Sequence, residues 1–218
     1  FYNDQTECNA AGECHPFEDV RKAAIDLMDR VYFPYDRVSL VTFDRLATLQ
    51  LDLSYCSQLH YGDPIAQKQC VIEELDAMVI LDEPEVATNC PDWGPDGDPR
   101  GCMSTNSAGG LMTAGNEFGI NGREEAVWVV IFLSDGVANA ANAADPPTLP
   151  EHWVCPSATW RTADNPSGPY CNDGVSGTRH TSSSSDYDAD DRARDMADFV
   201  GCLDADSPIQ HCTTPGQG

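Results

Sequence analysis

The stretch Val-Trp-Val-Val-Ile-Phe-Leu, at residues 127–133, is the longest uninterrupted apolar run in this chain of 218 residues. A strand with one face in water alternates apolar and polar residues, whereas this run contains no polar residue. It therefore predicts a central strand that helices cover on both faces. The run ends at Ser134-Asp135-Gly136, which predicts a turn where the strand stops.

The segments on either side of this run alternate between helix-like and strand-like patterns. Apolar residues at helical spacing predict helices over residues 17–31, 64–81, 107–118 and 188–203. Strand-like patterns cover residues 38–43 and 46–53. The alternation predicts an α/β fold, with an open, mostly parallel, doubly wound sheet and helices on both faces. Ligands bind such sheets outside the carboxyl ends of the strands.

Two of the predicted helices carry further local signals. Asp63 and Pro64 predict the cap and the first turn of the helix over residues 64–81. Three glycines, Gly109, Gly110 and Gly115, are poor helix formers within residues 107–118. They predict close packing of the backbone or close approach to a ligand.

The charge balance excludes several classes of partner. Twelve Lys and Arg residues stand against 36 Asp and Glu residues, which gives a formal net charge of −24. Phosphate backbones and anionic membrane surfaces are repelled, so we expect no nucleic-acid partner. Divalent cations and basic partners are favoured. No apolar run approaches the roughly 20 residues of a membrane helix, so we expect no membrane span.

The ten cysteines indicate an oxidising compartment and a secreted or cell-surface protein. None forms a C-x-x-C pair, which argues against a zinc site. Sequence alone leaves the connectivity open, but locality favours the pairs 8–14, 56–70, 90–102, 155–171 and 202–212. We expect a single domain over residues 1–218, with residues 140–185 as a long surface excursion.

Three segments resemble consecutive landmarks of the von Willebrand factor type A domain. They are residues 36–43 (Asp-Arg-Val-Ser-Leu-Val-Thr-Phe), 105–111 (Thr-Asn-Ser-Ala-Gly-Gly-Leu) and 130–136 (Val-Ile-Phe-Leu-Ser-Asp-Gly). The order and spacing match, and the similarity covers roughly residues 17–140 and 186–203. The cysteine-bearing loops are most similar to those of bacterial surface proteins and Tad-type pilus-assembly proteins.

The resemblance implies a metal-ion-dependent adhesion site in which Thr105 and Asp135 face the ion. Mg²⁺ is the implied ion, with Mn²⁺ or Ca²⁺ as alternatives. A hard cation with few direct protein charges stays electrophilic, so the carboxylate of a protein or surface ligand can complete its shell. Without the family pattern, Thr105 could instead cap the helix that starts near Ser107, and Asp135 could be a turn residue.

The chain departs from the family at the Asp-x-Ser-x-Ser loop, which occurs nowhere in the sequence. The resemblance places that loop and its strand before the first helix. We therefore expect the chain to be a segment of a longer polypeptide, incomplete at both ends. The alternatives are a strand donated by another chain and a degenerate sheet without a metal site.

Two further acidic groups could hold a structural Ca²⁺, although simpler interpretations are favoured. One group is expected to be a solvated loop, and consists of Asp92, Asp96 and Asp98. The other is expected to favour the positive end of a helix, and consists of Asp186, Asp188, Asp190 and Asp191.

We expect a binding module rather than an enzyme, because the chain has no nucleophile, phosphate-loop or metalloprotease motif. Extracellular adhesion through a divalent cation is the first hypothesis. A structural subunit that self-associates in a surface filament or pilus is the second. The third is a carbohydrate-binding module that uses Trp153, Trp160 and Tyr170.

Overall fold

The computed structural model describes residues 16–33, 35–44, 47–78, 105–123, 125–134, 136–140, 171, 173–175, 177–181 and 183–201. The elements in these residues are α1 (Phe17–Met28), β1 (Leu40–Phe43), β2 (Ala47–Leu51), α2 (Tyr55–Leu59), α3 (Pro64–Asp76), α4 (Ser107–Asn121) and α5 (Ala189–Gly201). The chain divides into two compact units, residues 1–40 with 50–89 and residues 41–49 with 90–218. The four predicted helices correspond to α1, α3, α4 and α5.

The first unit is helical and has its own apolar core. Both α1 and α2 pack against α3. The core consists of Met28, Phe33, Leu51, Cys56, Cys70, Val71 and Leu75. A disulfide joins Cys56 to Cys70, as locality predicts. Closing a loop of this length contributes about 3 kcal/mol in the chain-entropy account, so the bond is a main stabiliser of this unit.

Side chains satisfy the backbone at both ends of α3. Asp63 accepts hydrogen bonds from the N–H groups of Ile65 (3.1 Å) and Ala66 (3.0 Å), which confirms the predicted cap. At the other end, Arg21 donates to the carbonyl oxygens of Asp76 (2.9 Å) and Met78 (3.3 Å). These carbonyls have no partner within the helix, so the guanidinium ties α1 to the end of α3.

The second unit is organised by the packing of α4 against α5. A Cβ atom at Gly115 would lie 2.5 Å from the ring of Phe199, and one at Gly110 would lie 2.8 Å from the ring of Phe43. Both positions therefore need glycine, because no other residue leaves room for the aromatic neighbour. The prediction that these glycines mark close packing is confirmed.

The prediction of an open, mostly parallel, doubly wound sheet is wrong. The sheet found in the described residues has two strands, β1 and β2. Only residues 44–46 join these strands, and so short a connection requires an antiparallel pair. The predicted strands at residues 38–43 and 46–53 therefore exist, shortened, as a hairpin.

The predicted central strand at residues 127–133 is also wrong. No strand forms there, and the odd-numbered side chains are exposed while Trp128 and Val130 are half-buried. Apolar composition indicates that a segment tends to be buried, but a strand also needs a neighbouring strand that pairs with its N–H and C=O groups. Within the described part of the chain, residues 127–133 have no such neighbour.

None of the helices described here is long and apolar enough to cross a membrane.

Candidate metal centre

The start of α5 is held by the carboxylate of Asp188, which is fully buried. Its Oδ1 accepts hydrogen bonds from the N–H groups of Asp190 (3.0 Å) and Asp191 (3.3 Å). The carbonyl of Asp188 accepts from the N–H of Arg192 at 3.1 Å. Asp188 is therefore the N-cap of α5, in agreement with the prediction that acidic residues favour this helix end.

A turn at residues 173–175 brings a second carboxylate to the same place. The N–H of Asp173 donates to Oδ2 of Asp188 at 2.7 Å. Oδ1 of Asp173 accepts from the N–H of Val175 at 2.6 Å, and Gly174 follows with a φ of +77°. That conformation is easy for glycine, so the Asp173-Gly174 pair is suited to this turn.

Asp173, Asp188 and Asp190, hereafter the aspartate triad, each contribute one carboxylate oxygen to a compact cluster. These three oxygens lie within 4.8 Å of one another. The triad could therefore hold a metal ion. Its ligands are all oxygen, the donor that hard cations such as Ca²⁺ and Mg²⁺ prefer.

Two basic side chains, Arg194 and His180, lie beside both the triad and a fourth aspartate, Asp191. Asp191 is fully buried and accepts from the N–H of His180 at 2.8 Å, and its Oδ2 lies 3.1 Å from Nδ1 of the same histidine. Arg194 lies 3.6 Å from Asp191 and 2.7 Å from Oδ2 of Asp190. Four carboxylates thus share one arginine and one histidine.

Asp190 shows the consequence of having more carboxylates than basic side chains in this place. Burial raises the pKa of its carboxyl to about 6. The hydrogen bond to Asp188 and the negative charge of Asp188 raise this pKa as well, whereas the charge of Arg194 lowers it. Oδ2 of Asp190 is buried without a hydrogen bond, because its contact with Arg194 has the distance of an ion pair but not hydrogen-bond geometry. The triad therefore needs a proton or a cation.

Thr105 lies immediately before α4 and is tied to the segment that follows residue 135. Its N–H donates to Oδ1 of Asn139 at 2.8 Å, and its carbonyl accepts from the N–H of Asn139 at 3.1 Å. The Thr105 hydroxyl lies 2.8 Å from where a Cβ atom of Gly136 would be. Asp135 itself lies outside the described residues, so the convergence of Thr105 and Asp135 stays a prediction.

The cap of α4 is Asn106 and not Thr105. Oδ1 of Asn106 accepts from the N–H of Gly109 at 2.8 Å. The alternative interpretation of Thr105 as a capping residue is therefore wrong.

The remaining predicted site residues divide into two groups. Asp186 is exposed and does not belong to the triad. Several others lie outside the described residues, namely Asp92, Asp96, Asp98, Trp153, Trp160 and Tyr170.

Asp173 is the member of the triad that sequence reasoning missed, because it lies within the predicted surface excursion at residues 140–185. The available signal was local. An Asn-Asp-Gly sequence follows Cys171 directly, which is typical of a tight turn beside a disulfide. Cys171 is disulfide-bonded, with a partner outside the described residues.

Comparison with known proteins adds no relative: no protein-family model, curated protein or solved structure matches the chain.

Proposed function

We propose that this protein is an extracellular binding module that holds a divalent cation at the start of α5. The observation that carries the proposal is the aspartate triad, in which three carboxylate oxygens lie within 4.8 Å of one another. Carboxylates at that separation repel each other strongly unless a cation or a proton lies between them. A divalent cation relieves the repulsion at neutral pH, where a proton with a pKa near 6 is mostly lost.

Ca²⁺ is the cation that the triad suits best. Two of its ligands belong to the first residues of α5 and its cap, and the third belongs to a separate turn. Ca²⁺ accepts six to eight oxygen ligands in irregular arrangements, whereas Mg²⁺ demands a nearly ideal octahedron. Carbonyl oxygens and water complete the shell of such an ion. Bound Ca²⁺ would fix the turn at residues 173–175 to α5.

An extracellular location is supported by the covalent structure. The Cys56–Cys70 disulfide lies in the core of the first unit. Structural disulfides of this kind persist in oxidising compartments. Extracellular fluids also supply Ca²⁺ at concentrations high enough to occupy weak sites, for which dissociation constants are about 10⁻⁴–10⁻³ M.

Thermal unfolding tests the cation site. The chain stripped with EDTA should unfold at a lower temperature than the chain with Ca²⁺. Binding at 100 times the dissociation constant contributes about 2.7 kcal/mol, which is a rise of about 5–10 °C for a chain of this size. Asp190→Asn should abolish the rise because it removes a ligand.

Asp186→Asn is the matched control, since it removes an exposed charge from the same helix end without touching the triad. This variant should keep the full rise with Ca²⁺. An equal rise in wild type and Asp190→Asn would show that Ca²⁺ binds elsewhere, and no rise in any variant would contradict the proposal.

The ligand-facing position of this module is proposed to be Thr105 together with Asp135. The support is that the Thr105 hydroxyl approaches Gly136, the residue after Asp135. An ion held there by so few protein charges would accept a carboxylate from a protein or surface ligand. Mg²⁺ is the first candidate for this position, and Mn²⁺ is the second.

A second melting experiment tests this position independently. Mg²⁺ or Mn²⁺ should raise the unfolding temperature of Asp190→Asn, in which the triad is disabled. Adding Asp135→Ala to that variant should remove the rise. If Asp135→Ala leaves the response to Mg²⁺ and Mn²⁺ unchanged, the adhesion position is refuted, while the triad is judged by its own experiment.

A further inference from the structure

Residues 127–133 form an apolar ledge, a name used here for this segment alone. Its inner side chains are anchored in the second unit, where Trp128 stacks on Phe118 and Phe132 stacks on Phe43, with ring centroids 5.2 Å and 5.1 Å apart. They also line a cavity of about 330 Å³ against α4 and α5. The inner row therefore fixes the course of the segment.

The outer row of the apolar ledge faces solvent. The exposed fractions are 89% for Val127, 68% for Val129, 61% for Ile131 and 54% for Leu133. Between them, Trp128 and Val130 are half-buried, and Phe132, at 38%, is less exposed than its two neighbours. The exposure therefore follows approximately the period of two residues of an extended chain. Contiguous apolar surface of this kind marks an interaction site more often than a scatter of single apolar residues does.

The backbone of the apolar ledge is also without a pairing partner among the described residues. Among the residues that the structure describes, none makes a backbone hydrogen bond to residues 127–133. Proteins protect exposed edges with charged residues, proline or a bulge. The ledge contains no charged residue, proline or glycine. Nothing in the described part of the chain therefore protects it against pairing with another strand.

The charged residues on either side of the apolar ledge determine which kind of partner strand can pair with it. Glu124 and Glu125 precede the apolar ledge and Asp135 follows it, in a chain with a net charge of −24. An antiparallel second copy would bring its own Asp135 beside Glu124 and Glu125, and like charges directly opposite are destabilising. A strand with basic residues at both ends would meet opposite charges instead.

We propose that the apolar ledge is a docking edge for an extended strand of a partner polypeptide, with alternating apolar side chains and basic residues at both ends. The partner strand would pair its N–H and C=O groups with those of residues 127–133. Its apolar side chains would cover Val129 and Ile131. This docking edge does not involve the aspartate triad, whereas Asp135 belongs both to its charged flank and to the proposed adhesion position.

A labelled synthetic peptide, Lys-Lys-Val-Thr-Val-Thr-Val-Thr-Lys-Lys, tests the proposal by fluorescence anisotropy with the full chain in EDTA. The peptide should bind wild type. Ile131→Lys should weaken binding about tenfold or more, because it places in the docking edge a positive charge that repels the lysines of the peptide. Ile120→Lys is the control, since Ile120 is 77% exposed on α4 and is not a residue of the ledge. It should bind the peptide as wild type does.

Two modified peptides separate strand pairing from other contacts. N-methylation of alternate amides should abolish binding, and replacing the four lysines with glutamates should weaken it. Equal binding of the N-methylated peptide would overturn the proposal in favour of a merely apolar contact. The proposal would also be overturned if the peptide failed to bind, or if it bound Ile131→Lys as well as wild type. Self-association of wild type that is lost in Ile131→Lys would overturn it in favour of a second copy of this chain as the partner.

Discussion

Asp190 is the residue at which burial, repulsion and ion pairing act together. Burial, together with the neighbouring Asp188, raises the pKa of its carboxyl to about 6, and Arg194 opposes this rise only in part. Asp188, by contrast, has its negative charge satisfied by the N–H groups of the first turn of α5. Two neighbouring aspartates of the same helix end thus have different roles.

The raised pKa predicts a specific pH dependence in the absence of metal. Because the folded chain binds this proton more tightly than the unfolded chain, Asp190 lowers the free energy of unfolding above about pH 6. That loss disappears as the pH falls towards 4. In EDTA at pH 7, Asp190→Asn should therefore be more stable than wild type, by about 1–3 kcal/mol. Urea unfolding of both chains at pH 7 and pH 4.5 measures the difference, which should shrink at the lower pH.

Calcium should reverse this order, because wild type gains stability from the ion and Asp190→Asn does not. A wild type that is more stable than Asp190→Asn in EDTA at pH 7 would contradict this assignment. It would mean that the ion pair with Arg194 outweighs the repulsion within the triad.

The contact between α4 and α5 is the element that organises the second unit. Gly115 allows this contact, because its missing side chain leaves room for the ring of Phe199. Gly119, in contrast, is exposed on the same helix. The two positions therefore separate packing from helix propensity.

Gly115→Ala and Gly119→Ala should change stability in opposite directions. Both gain up to about 1 kcal/mol of helix propensity. Only Gly115→Ala forces a methyl group against Phe199, at a cost of about 1–3 kcal/mol, so it should be destabilising overall. Urea unfolding measures both, and stabilisation by Gly115→Ala would contradict the described packing of α4 on α5.

At the scale of the whole molecule, features that depend on near neighbours in the sequence could be predicted. The helices follow from apolar spacing, the cap at Asp63 from its place before Pro64, and the Cys56–Cys70 disulfide from locality. Residues 127–133 could not be predicted in this way, because a strand depends on a partner that composition does not supply.

The candidate site also combines residues that local sequence predicts with one residue that only the folded chain brings in. Asp188 and Asp190 could be recognised as an acidic helix start, whereas Asp173 joins them only because a turn folds back onto Asp188. The resemblance implied Thr105 and Asp135 as ligands, and their convergence stays a prediction because Asp135 lies outside the described residues. The parallel sheet, which was predicted from the alternation of helices and strands, is wrong, since the sheet found in the described residues is the pair β1 and β2.

Calorimetric titration of Ca²⁺ into the EDTA-stripped chain tests the claim that the aspartate triad binds a divalent cation. We predict a binding isotherm that includes one site lost in Asp190→Asn and kept in Asp186→Asn. Isotherms that are the same for wild type and Asp190→Asn would contradict the claim.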